Sequence, residues 1–185
     1  MSRPTPHIPG LIGFLDKWQR IHSGGFFKAA KRLAMDKTSK VLIQTFKDTH
    51  PSSALSESAT TFRAFRNISE SSAKSVATLT ACLCDFQTSL KVLNDLLGTW
   101  PESDGVREFA IAISKSAAED VRLRESVLVA LTNDGPRSLS ELQGIIVLVA
   151  ELENFLVLKA AQQTPLPVPG DIDGCRKFLR DWNSR

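Results

Sequence analysis

Phe62 to Leu97 reads FRAFRNISESSAKSVATLTACLCDFQTSLKVLNDLL, and the spacing of its apolar residues decides the fold class. Starting at Phe62, positions Phe65, Ser69, Ser72, Val76, Leu79, Leu83, Phe86, Leu90, Leu93 and Leu97 follow in alternating steps of three and four. A 3.5-residue spacing holds one row of side chains against a neighbouring helix at a shallow crossing angle, whereas a half-buried strand would alternate with period two. The spacing therefore predicts a long helix over 54–97 packed along nearly antiparallel partners, with Ser52 or Ser53 as its N-cap. Unbroken, it would be about 66 Å long at ~1.5 Å per residue, so the body is either elongated or bent near Ser69, Ser71 and Ser72, where the seam turns polar.

The flanking sequence reads the same way. Upstream, Leu11, Phe14, Leu15, Trp18 and Ile21 fall on one helical arc and Asp16, Lys17 and Arg20 on the other, an amphipathic helix from about Gly10 to His22 after a lead-in with three prolines. Gly24-Gly25 breaks it. A helix over 26–48 follows, carrying Phe26, Phe27, Ala30, Leu33 and Ala34, and His50-Pro51 closes it because a residue before proline is pushed out of the helical region. Downstream, Gly98 and Pro101 precede a helix over 105–132, which the Asn133-Asp134-Gly135-Pro136 turn stops. Ser138 with Glu141 is a capping box opening a helix over 138–163, apolar nearly all round and so expected at the centre. Pro165, Pro167 and Pro169 mark a linker, and Asp171 caps a short last helix with Cys175, Phe178, Leu179 and Trp182. The expected fold is all-α: an elongated bundle of about four main helices with a short helix at each end. It divides into a lead-in and amphipathic helix (1–25), a helical bundle (26–163) and a linker with terminal helix (164–185).

Composition sets limits on function. The 185 residues carry a net charge of +3, but residues 1–50 hold nine Lys or Arg against three Asp, a local excess of +6. Such asymmetry points to an anionic partner or to parts of the chain that attract one another. Three cysteines, Cys82, Cys84 and Cys175, make no disulfide framework, and no secretory signal layout opens the chain, so a cytoplasmic setting is expected. No apolar stretch is long enough to span a bilayer.

A search for chemistry returns no catalytic motif, and no enzyme activity is expected. His7, His22 and His50 lack local ligand partners, and Cys82 and Cys84, two residues apart on a helix, aim their thiols at opposite sides, so no metal is expected. No nucleophile elbow or phosphate loop is present, and paired carboxylates such as Glu119-Asp120 lack the Glu-x-x-His partners of a di-metal bundle site. No cofactor is expected either.

The remaining reading is a non-catalytic interaction module, an adaptor or scaffold that binds another protein through exposed helix faces. The alternative is peripheral association with an anionic membrane surface through the first 50 residues. There Trp18 would be the amphipathic anchor, with Arg20, Lys28, Lys31, Arg32, Lys37 and Lys40 supplying charge. A second alternative is a small-molecule site inside the bundle. Nucleic acid is not an expected partner, since no reading motif accompanies the basic cluster. Phe178 and Trp182 are the candidate contacts of a tail that docks on its own body or on a partner.

Overall fold

The computed structural model describes residues 7–53, 58–101, 105–133, 140–141, 143–150 and 172–183. Five helices have defined bounds: α1 (His7–Ser23), α2 (Gly25–Thr49), α3 (Ala59–Gly98), α4 (Gly105–Thr132) and α5 (Ile172–Asn183). Residues 143–150 are also helical, and the described residues contain no strand. The fold is all-α, and its helix contacts fit the expected bundle.

Boundaries moved where capping chemistry overrode the apolar pattern. α1 begins at His7, ahead of Gly10, because Pro9 lies in the first turn, whose N–H groups have no intrahelical acceptor to lose. Ser58 caps α3, its hydroxyl accepting from the Thr61 N–H at 3.2 Å. Ser53 instead donates its backbone N–H to the His50 carbonyl, in the turn that closes α2. From Ser58, α3 runs unbroken for 40 residues, ~60 Å at ~1.5 Å per residue.

α3 and α4 are shared by two apolar clusters. The first joins Leu11, Leu15 and Trp18 of α1 to Leu83, Phe86 and Leu93 of α3, Phe109 and Ile113 of α4, and Cys175 and Leu179 of α5. The second joins Phe26, Phe27 and Leu33 of α2 to Leu79 of α3, Val127 and Leu131 of α4, and Val149. Leu128 packs against both, so they are two ends of one interior. Gly24 interrupts the helix without turning the chain back: α1 and α2 both run antiparallel to α3, with Lys17 paired to Asp85 and Arg32 bonded to Ser71, and a Cβ on Gly24 would come within 2.5 Å of the Arg20 carbonyl oxygen.

The polar part of the α3 seam has little to pack against. Ser69 is exposed and Phe62 is 75% exposed, whereas Leu79, Leu83, Phe86 and Leu93 are buried. Residues 37–49 of α2 and 59–74 of α3 contain no buried side chain, and together they form a two-helix arm, with Lys47 over the Phe65 ring at 4.7 Å. The expectation of a central helix over 138–163 also needs correction where it is described: Val149 is buried, but Ile146 and Val147 are 52% and 56% exposed. That helix covers the second cluster from outside. Ser138, residues 151–163, the proline linker and Asp171 lie outside the described residues.

Candidate interaction surface

The first 50 residues split into an interior part and a surface part. Trp18 is the interior part. It is fully buried and donates its indole N–H to Asp120 Oδ2 at 2.7 Å, so the expectation that it anchors the chain to an anionic surface is corrected: it is spent on the fold. Asp120 also receives the Arg124 fork, Nε to Oδ1 at 2.9 Å and Nη2 to Oδ2 at 3.0 Å, with both side chains fully buried. The guanidinium carbon sits 4.9, 5.1 and 5.5 Å from the ring centroids of Phe26, Phe27 and Phe86. A buried cation is tolerated only with a counter-charge and polarisable neighbours, and here it has both. Because those rings come from α2 and α3, while Asp120 holds Trp18 of α1, this network fixes the start of α2 against three other helices.

Three more of the candidate contacts are engaged in the fold or stand apart from the rest. Lys37 donates to the Asn133 carbonyl at 2.8 Å, placing a cation at the C-terminal end of α4, where the helix dipole favours one. Arg20 is exposed but lies on α1, its Nε donating back to the Asp16 carbonyl at 3.3 Å, and Lys40 is half-buried.

Lys28, Lys31 and Arg32 are brought together, and α3 adds Lys74. All four are exposed and edge a groove of about 490 Å3 between α2 and α3. Gly25, Ala29, Ser75 and Thr78 make its floor, a row of small residues that leaves a depression between the helices. A Cβ on Gly25 would already touch Thr78 Cγ2 at 3.4 Å. Arg32 is held in place by Ser71 Oγ at 3.1 Å and by Asp36 Oδ1 at 3.4 Å, the latter carboxylate being buried beneath it. Glu70, one turn before Lys74, is bound to Arg66 instead. The groove thus keeps an excess of positive charge on both lips.

Met35, 64% exposed, closes one end of the groove and begins an apolar stripe. Leu42 and Phe46, 54% and 39% exposed, follow at steps of seven and four, within about 20° of one line along the helix. The outer face of α2 therefore runs from a basic end to an apolar end. A second groove of about 400 Å3 lies between α1 and α3, floored by Gly10 and Gly13 and bordered by Val92 and Lys17, the latter paired with Asp85 at 2.7 Å.

Sequence reading missed Lys74, Met35 and the Asp120–Arg124 pair. The pair left a signal: with Ile113, Ala117, Val121 and Leu128 on the apolar stripe of α4, Asp120 and Arg124 fall inside that stripe at a spacing of four. Lys74 carried no such mark, since only the pairing of α2 with α3 sets it opposite Lys28.

Other titratable groups are occupied locally. His7 stacks on Trp100, His50 on Phe46, and His22 meets the edge of Phe27. No disulfide joins Cys82, Cys84 or Cys175, and burial pushes the Cys82 thiol up, partly offset by the Arg124 guanidinium, with Asp85 adding to the rise. Among the described residues, no group of three His, Cys, Asp or Glu could hold a metal ion. At the C-terminus Phe178 packs on Phe109, with ring centroids 4.9 Å apart, and Arg176 pairs with Asp16, so α5 docks on the chain's own body. The Trp182 side chain lies outside the described residues. No family model, curated protein or solved structure matches the chain.

Proposed function

We propose that this chain is a non-catalytic interaction module, an adaptor or scaffold whose exposed α2 face binds another protein in a cytoplasmic setting. The observation that supports it is the stripe of Met35, Leu42 and Phe46, three large apolar side chains exposed along one line of α2. Spacing of this kind is what a partner helix or groove reads, and large apolar side chains aligned on one exposed face carry interface energy more often than scattered ones do. The cytoplasmic setting rests on three cysteines that form no disulfide.

Membrane attachment is the weaker reading, because Trp18, the ring expected to anchor beside the cations, is inside the bundle. The test is a Leu42→Glu, Phe46→Glu double variant, which should keep the wild-type melting temperature. Affinity capture from the cells of origin, quantified against wild type, should lose a specific partner; an identical set of bound proteins would sink the proposal.

A further inference from the structure

We infer that the groove between α2 and α3 seats an acidic amphipathic helix of the partner protein, an inference that rests on the interaction-module reading and specifies the chemistry of what is bound. Three features of the groove carry it. Its lips are both cationic, Lys28, Lys31 and Arg32 on α2 facing Lys74 on α3, so an occupant gains by presenting carboxylates on both flanks. Its floor is built of small residues, so the strip between those flanks must be apolar and narrow, as a single helical row of Leu or Met is. Its length along α2, from Gly25 to Met35, is ~15 Å at ~1.5 Å per residue, which three turns of helix would fill. A lipid surface satisfies the first feature only: headgroups can meet the lips, but a bilayer face cannot enter a depression between two helices. A second copy of this chain would bring the same positive lips to the same place and be repelled.

Lys28 and Lys74 are the positions to test, because neither has an ion-pair partner among the described residues and both are exposed. A displayed library of helical peptides, unbiased in charge, is selected against the full chain and, in parallel, against the Lys28→Glu, Lys74→Glu variant. Selection on wild type should enrich peptides with Glu or Asp on both sides of a Leu or Met row. Their affinity should fall at least about tenfold on the variant and fall steeply with salt. Met35→Ser should weaken them without changing the melting temperature. Recovery of peptides without acidic enrichment, or of acidic peptides indifferent to the double reversal, overturns the inference. If peptides are recovered whose binding depends on Leu42 and Phe46 alone, the module reading stands while the groove assignment falls. Sedimentation with phosphatidylserine vesicles that depends on Lys28 and Lys74, without peptide enrichment, assigns the groove to lipid and overturns it too. So does concentration-dependent dimerisation abolished by the same two changes.

Discussion

The indole N–H of Trp18 on α1 points at the carboxylate of Asp120 on α4 across 2.7 Å, and neither side chain reaches solvent. Asp120 serves two donors at once, since the same carboxylate neutralises Arg124. Removing Asp120 therefore does more damage than removing the Trp18 donor alone. Asp120→Ala leaves a buried guanidinium without its counter-charge and should cost about 3–5 kcal/mol. Trp18→Phe keeps most of the ring packing and gives up one donor, for about 1–3 kcal/mol. Urea unfolding of both variants checks the order, and an Asp120→Ala midpoint equal to wild type would mean that water reaches the network.

The two halves of the α3 seam should respond differently to truncation. Leu83→Ala empties a buried site and should cost about 2–5 kcal/mol, whereas Phe62→Ala on the exposed arm should stay within about 0.5 kcal/mol. Equal losses at the two sites, read from thermal midpoints, would show that the arm is packed as tightly as the body.

Thiol labelling should sort the cysteines by environment. Cys84 is exposed and should react with iodoacetamide first, half-buried Cys82 more slowly because its thiol is held protonated, and buried Cys175 only on unfolding. A thiol raised in the folded state contributes stability that is present below its unfolded pKa and lost as pH rises through the folded one. The alkaline decline in stability should accordingly be shallower in Cys82→Ser than in wild type. Adding a reductant at neutral pH should leave the melting temperature unchanged.

Two glycines, one inside α1 and one just after it, make opposite predictions. Gly13 lies inside α1 with nothing within 4 Å of a Cβ, so Gly13→Ala should stabilise by about 0.5–1 kcal/mol through the unfolded chain. Gly24→Ala pushes a methyl group against the Arg20 carbonyl and should destabilise. Differential scanning calorimetry of the two variants decides it, and a stabilising Gly24→Ala would mean that the α1–α2 junction is free to move.

The sequence carried the helices far better than it carried their partners. Leu79, Leu83, Phe86 and Leu93 were legible as core because a repeated spacing is a local property of one helix. Trp18 was legible as the apolar face of α1, yet its role depends on a carboxylate 102 residues away that no local pattern connects to it. Phe62 misled for the converse reason: it keeps the seam's spacing yet is 75% exposed. Lys28, Lys31 and Arg32 were found from charge density alone, while Lys74 became visible only once α3 lay beside α2.

The uneven burial along α3 gives one continuous helix two different lifetimes. Its inner half, from Ser75 to Leu93, can open only when the interior does. Residues 59–74 keep their helical turns chiefly by propagation from that anchored half, since starting a helix costs far more than extending one. Amides of the arm should then exchange with deuterium through local fraying, at a small free energy, while those around Leu83 and Phe86 wait for global unfolding. A protein that docks on the arm would stiffen that segment first. Slowed exchange confined to that segment would be the first sign of its arrival.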